Sequence, residues 1–328
     1  MTLILGEDTL QGALNMAEAI DLIQNAYQHE AAGQTFTAPR QTSLTQKGWM
    51  RLMYSADFAS GYAAVKAFHL TRGVGVRYVV SLYRLEDGEL LAILDGRQLT
   101  ALRTGAVSGV AARYMAPNGA TSIGLLGSGY QSITQLEAMA AVLPLTSVRV
   151  FSPTPENRKA FAEHMSEKLG LEVQAVDSAQ DAFRHQPVVV VCTNVTGPDP
   201  VMQASWLSDP VFVCGAGSTR IESIEIDLDT FRASQLTVMD TAHASEEAGD
   251  LHQALEAGFM EPEQVWTLAQ LVQRQPERPT AGATVFKSVG SALQDLAVAA
   301  GYYERLKTSK PVEKVTGLAS LKDSKKRI

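Results

Sequence analysis

The sequence predicts an α/β protein: a doubly wound parallel sheet in the middle of the chain, with an α+β region before it. Three observations predict it. From residue 122 to 240 short apolar runs alternate with helix-type segments, and strands separated by helices build a mainly parallel sheet. Before residue 100, β-rich runs follow one another across tight turns, as in an antiparallel meander. The composition is that of a soluble globular chain, 328 residues with 45% hydrophobic and 19% charged, long enough for about two domains and a substantial core.

Each element has its own signal. Met16, Ile20, Ile23 and Tyr27 recur at helical spacing, which predicts an amphipathic helix over 16–32. Trp49–Tyr54 and Tyr62–His69 read as strands. Residues 76–96 carry two β-rich runs around Glu86-Asp87-Gly88, a hairpin signal. Thr100–Met115 is rich in small residues and reads as a helix that Pro117-Asn118-Gly119 ends. Ser122–Leu126 is a short buried strand, followed by a glycine turn and a helix through about Val142. Ser147–Phe151 is the next strand, and the helix after Pro155 is closed by Gly170. Further strands are expected at Glu172–Val176, Val188–Thr193, Val211–Gly215 and Leu236–Asp240, and a last helix at 289–306. The charged tail from Lys307 is expected to be loosely ordered. The expected division is 1–118 with the C-terminal segment 291–328, and 119–290.

Composition also excludes. A net charge of −7 argues against nucleic acid as a partner. No run approaches the roughly 18 apolar residues of a membrane span, and the acidic segment MTLILGEDTLQG is not a signal peptide. Cys192 and Cys214 lack metal-type spacing, so no metal is expected and a reducing, cytoplasmic setting is.

Gly127-Ser128-Gly129-Tyr130-Gln131-Ser132 sits between a strand and a helix. The first glycine permits the tight turn, the second lets backbone approach a pyrophosphate, and the helix start offers free N–H groups. This context makes the sheet Rossmann-type and the turn a dinucleotide site. The next strand ends Phe151-Ser152-Pro153-Thr154, without the acid that usually accepts the ribose hydroxyls of NAD. Ser152, Thr154 and Arg158 suit a 2′-phosphate instead, so NADP(H) is preferred and NAD(H) remains possible. Ser152 and Thr154 also suit helix capping. Thr193, Asn194 and Val195 follow a strand of the same sheet and are expected to touch the cofactor. Lys66 lies in the apolar run AAVKAF and Arg103 in an Ala-rich helix. Such charges are costly to bury without a partner, so the readings are a solvated surface, an internal salt bridge or, with Arg40, a substrate carboxylate. Asp250 reads as a helix cap, the two cysteines as buried apolar residues, and the histidines as surface or capping residues, except that His69, after the Lys66 strand, could face the cleft.

Several stretches together resemble the ornithine cyclodeaminase/μ-crystallin family. They are Leu94-Asp95-Gly96 with Leu99-Thr100-Ala101-Leu102-Arg103-Thr104, the glycine turn, Glu225-Ile226-Asp227, Gly249-Asp250-Leu251, and Thr284-Val285-Phe286-Lys287-Ser288-Val289-Gly290 with Asp295. The resemblance implies a dinucleotide-binding Rossmann domain beside an N-terminal substrate and dimerisation domain, and hence a homodimer. It implies a small imino or amino acid substrate whose carboxylate is bound by Arg40, Lys66 and Arg103, with Lys66 also a candidate catalytic residue. Thr104, Phe286 and Ser288 are implied at the cofactor, and Ser218 at the substrate. Members that handle ammonia carry an Asp after the strand that here ends Val213-Cys214-Gly215, and this chain has none before Glu222. Arg51 stands where the cyclodeaminase has a Glu. The implied activity is therefore NAD(P)H-dependent reduction of an α-imino acid, 1-pyrroline-2-carboxylate foremost, as in the ketimine reductases. Ornithine cyclodeaminase, alanine dehydrogenase and a non-catalytic crystallin-like binding protein are the alternatives.

Overall fold

The computed structural model describes residues 1–309 and 313–318. The chain opens with strand β1 (Thr2–Leu5), the single turn α1 (Glu7–Leu10) and helix α2 (Met16–Ala31). Strands β2 (Thr35–Thr37), β3 (Gln41–Thr45), β4 (Gly48–Asp57), β5 (Tyr62–Thr71), β6 (Gly75–Arg84) and β7 (Leu90–Asp95) lead to helix α3 (Gly96–Met115). An alternation follows: β8 (Ser122–Leu126), α4 (Tyr130–Val142), β9 (Ser147–Phe151), α5 (Pro155–Leu169), β10 (Glu172–Ala175), α6 (Ala179–Phe183), β11 (Val188–Val191) and β12 (Val211–Gly215). Then come α7 (Leu228–Arg232), β13 (Ser234–Met239), α8 (Ala244–Glu247), α9 (Gly249–Glu256), β14 (Val265–Thr267) and α10 (Leu268–Arg274). The chain closes with β15 (Ala283–Lys287), α11 (Ala292–Leu306) and β16 (Glu313–Val315).

The elements form two compact units. The first comprises residues 1–15, 32–100 and 292 onward. Its sheet has eight strands in the order β16-β1-β7-β6-β5-β4-β2, with β3 also on β4. The pairing is antiparallel except between β1 and β7. Because strand side chains alternate, Met53, Ala64, Lys66, Phe68 and Val80 share one buried face, on which α11 packs. The opposite face exposes Met50, Leu52, Tyr54, Val65 and Val79.

Two features of this unit depart from the expectations. The opening residues form a strand, β1, that the sequence signals do not predict. Part of the charged tail is ordered: Glu313–Val315 pairs antiparallel with Thr2–Ile4. Strands this short carry no periodicity, and their partner lies at the far end of the chain. Residues 310–312 and 319–328 of the expected loose tail lie outside the described residues.

The second unit comprises residues 16–31 and 101–291. All eight strands of its sheet run parallel, in the order β10-β9-β8-β11-β12-β15-β13-β14. The order turns back between β8 and β11, the switch point where α/β sheets bind ligands. Val188 to Val191 of β11 are all buried, as a strand covered on both faces requires. The apolar stripe of α2, Ile20, Ile23 and Tyr27, is buried against α4 and α10, so periodicity located the helix, and the packing assigns it to this unit. No helix among the described residues is long and apolar enough to cross a membrane.

Candidate active site

A cavity of about 570 Å³ opens at the C-terminal ends of β8, β9, β11 and β12. The glycine turn forms its floor. Gly127 has φ +112°, and a Cβ there would lie 2.1 Å from the Cys192 carbonyl oxygen, so a side chain is excluded twice over. Gly129 starts α4 without a side-chain cap, and nothing lies within 4 Å of the Cβ it lacks. The turn thus leaves room over the start of α4, and a helix start suits a pyrophosphate. Gln131 lines the same cavity, and its Oε1 is buried without a hydrogen-bond partner. These features fit a bound dinucleotide.

Ser128, Tyr130, Ser152, Thr154, Thr193, Asn194 and Val195 also line this cavity. Ser128 Oγ and Ser152 Oγ are 2.8 Å apart, tying the glycine turn to the end of β9. Thr154 is the N-cap residue of α5, yet neither serine nor threonine side chain caps that helix, contrary to the capping expectation. None of the lining residues is an acid. Arg158 lies just outside the lining. It donates to the Ser152 carbonyl at 3.0 Å and to Asp177 at 2.7 Å, and Asp177 is 97% exposed.

The other candidates of this unit sit deeper. Thr104 is buried in α3, and its carbonyl accepts from Gln135 at 2.9 Å. Arg103 is buried too, and its guanidinium lies so close to Gly290 that a Cβ there would be 2.5 Å from Nη1. Phe286 is enclosed within β15, outside the cavity lining. Ser288 Oγ donates to Asp240 at 2.7 Å, and Asp240 also accepts from the amides of Val289 and Gly290. Burial, then the nearby Asp240 charge, push Glu30 up to about 7. Burial likewise pushes both thiols, Cys192 and Cys214, up to about 12, which leaves them inert.

In the first unit, Lys66 is 2% exposed and donates to Asp295 Oδ1 and Thr100 Oγ1, both at 2.8 Å. The rings of Tyr78 and Phe68 stand 5.1 and 5.4 Å from its ammonium. The buried lysine therefore has an internal acid, one of the two partners the sequence left open. Arg40 is half-buried in the loop between β2 and β3, and Arg51 stacks on Trp49 at 4.4 Å. His69 is exposed.

The reading of the sequence gave Lys287 and Glu225 no role of their own and took Asp250, a third charge of the second unit, for a helix cap. Lys287 Nζ donates to Asp250 at 2.8 Å and to Glu225 at 3.2 Å, all three side chains being 1% exposed or less. Asp250 is no cap: Ala248 is the N-cap of α9, and the Asp250 carboxylate is spent on Lys287 and on the amides of Ile226 and Leu251. Glu225 accepts from the Ser218 amide at 2.6 Å and from the Thr193 hydroxyl. The signal was present at Lys287, which interrupts an apolar run just as Lys66 does, and absent at Glu225, which lies in the mixed segment IESIEIDLD. No cluster of metal-ligating side chains occurs among the described residues.

Comparison with known proteins places this geometry. Residues 2–310 match the ornithine cyclodeaminase/mu-crystallin family. A structure of Thermococcus litoralis Delta(1)-pyrroline-2-carboxylate reductase, in complex with NADH and L-proline, is 30% identical and superposes with a TM-score of 0.86 over 92% of this chain and 97% of that one. An archaeal alanine dehydrogenase dimer with bound NAD is 26% identical, with a TM-score of 0.86 over 95% of this chain and 99% of that one. The iminosuccinate reductase of Paracoccus denitrificans, in complex with NAD+, is 25% identical, with a TM-score of 0.88 over 95% of this chain and 98% of that one.

Proposed function

We propose that this chain, which belongs to the ornithine cyclodeaminase/mu-crystallin family, reduces a small cyclic or linear α-imino acid with NAD(P)H, 1-pyrroline-2-carboxylate to L-proline being the foremost reaction. The observation that carries this reading is the strand, glycine turn and uncapped helix around an acid-free cavity, in a chain similar along its length to a reductase bound to NADH and L-proline. The first unit serves as the substrate and dimerisation part, the second as the dinucleotide-binding part.

When bound, a reduced nicotinamide would supply the hydride for the C=N carbon, and the nitrogen would take a proton. The chain's task is to hold and orient. Arg40, Lys66, Arg103 and Ser218 are assigned to the substrate. Asp295, 2.8 Å from Lys66, holds the lysine head in place. Lys66 therefore acts first as a fixed positive charge for the substrate carboxylate, and only second as a proton relay. An imine needs no base to free an amine before hydride transfer, which agrees with an alanine and a glycine, Ala216 and Gly217, following β12.

NADP(H) is the preferred cofactor in this reading. The end of β9 offers the hydroxyls of Ser152 and Thr154 and no acid. Arg158 would exchange its exposed partner Asp177 for the 2′-phosphate. The assembly is a homodimer formed on the open sheet face of Met50, Leu52, Tyr54, Val65 and Val79. Replacing Val65 and Val79 together by Asp should convert the species seen by light scattering to a monomer.

The decisive experiment is a panel of α-imino acids and amino acids with both cofactors, followed at the nicotinamide absorbance. Net NADPH consumption and an L-amino acid product are expected with imines. Ammonia released from ornithine without net cofactor change would instead make it a cyclodeaminase. Reduction of cofactor by L-alanine alone would favour the second reading, an amino acid dehydrogenase, which the archaeal relative supports. Cofactor binding with no turnover would leave a carrier protein.

A further inference from the structure

The buried charges Glu225, Lys287 and Asp250 lie beneath one end of the dinucleotide cavity, and the proposed reaction gives them no role. Every group around Glu225 is a donor: the Thr193 hydroxyl, the Ser218 amide and the Lys287 ammonium. The same holds for Asp250, with two amides and the same ammonium. Each carboxyl group is met by donors, and one lysine faces two acids. Burial pulls the Lys287 pKa down, but Asp250 and Glu225 outweigh it and hold the ammonium above the ordinary lysine range.

The location of this surplus charge is informative. Thr193 follows β11 and Ser218 follows β12, and the cavity is lined by Thr193, Asn194 and Val195 on one side and Ala216 and Gly217 on the other. A single carboxylate bridges the two loops. It presses so close to Gly217 that a Cβ there would lie 2.0 Å from Glu225 Oε1. The opposite end of the cavity, at Ser152 and Thr154, is the place for the adenosine ribose. The bridged loops therefore border the nicotinamide end.

We propose that Glu225, anchored by Lys287 and Asp250, is a positioning residue that fixes the Thr193–Val195 and Gly215–Ser218 loops in register to receive the nicotinamide half of the cofactor. This rests on the dinucleotide reading above. Glu225 touches neither cofactor nor substrate and acts through the loops alone. Its carboxylate draws both loops inward, and Lys287 keeps that carboxylate from turning away.

The test compares NADH with ADP-ribose, which lacks the nicotinamide, on the full-length protein by fluorescence titration and calorimetry. Glu225→Gln keeps the shape and removes the charge. It should weaken NADH by about tenfold, the loss of charge-assisted bonds, and leave ADP-ribose within about twofold. Thr193→Val removes one of the bridging bonds and should weaken NADH by about threefold. The double variant should be no worse than Glu225→Gln alone, because both act through one bond. Thr193→Val decides the matter if Glu225→Gln does not fold. Equal loss of both ligands, an unchanged NADH affinity, or additive effects would overturn the assignment while the dinucleotide reading stands. Wild-type protein that binds neither ligand would overturn both.

Discussion

Lys66 and Lys287 look alike in the sequence, each a lone cation in an apolar strand, and both are enclosed in the fold. They differ in company. Lys66 bonds to Asp295 and a threonine hydroxyl between two aromatic rings, so its charge is matched by an acid of its own unit. Lys287 is held by two acids at once, and one of these also gathers the loops of the dinucleotide cavity. Glu30 is a third case: an acid under burial with another carboxylate near it, and it responds by holding its proton. Burial alone does not set the fate of a charge; the partners do.

The largest expected effect breaks the Lys66 side of the comparison. Lys66→Met should lower kcat/KM for an imino acid by about a thousandfold, with NADH affinity within about twofold. It should also cost about 3–5 kcal/mol in urea denaturation, since the buried Asp295 loses its lysine. Lys66→Met with Asp295→Leu should regain most of that stability and none of the activity. Recovery of activity would remove Lys66 from the substrate. Arg103→Leu should cost about a hundredfold in kcat/KM, again sparing cofactor affinity. Loss of both together would move Arg103 away from the substrate.

Smaller effects sharpen the contrast. Ser152→Asp puts an acid into a cavity lining that has none, and should swing the NADPH-to-NADH ratio of kcat/KM by about tenfold toward NADH. Glu30→Gln tests the acid. In the unfolded chain Glu30 ionises near 4.5, in the fold near 7. Between these pH values the folded state binds more protons, so wild-type stability falls as pH rises and stays reduced above 7. The variant should lose that slope and gain about 1–2 kcal/mol at pH 8, discounted for partial exposure, while matching the wild type below pH 4.5. Parallel melting curves against pH for the two proteins would contradict this.

The β8–β12 alternation and the glycine turn were legible because period and turn chemistry are local, and each strand is bounded by its own breaker. The strands β1 and β16 were not, because each is a few residues long and stabilised by the other end of the chain. At the site, Gly127 to Gln131, Ser152, Thr154 and Thr193 to Val195 could be placed, since a dinucleotide turn fixes what must follow each strand. The trio at Lys287 escaped because its members are widely separated in sequence. The rule that a charge in an apolar strand needs a partner was applied to Lys66 and not to Lys287, where it holds equally. Arg158 shows the reverse: proximity along the chain located it near β9, while its hydrogen bonds turn it toward Ser152 and Asp177.

The short pairing of β16 with β1 bears on how the protein is handled. Strand β1 sits between β7 and β16, so a version shortened to end at Leu306 would leave its outer backbone donors and acceptors bare. A bare edge recruits another chain by strand addition. Such a version would self-associate through this edge, and fusions are better placed beyond residue 318 than directly after α11.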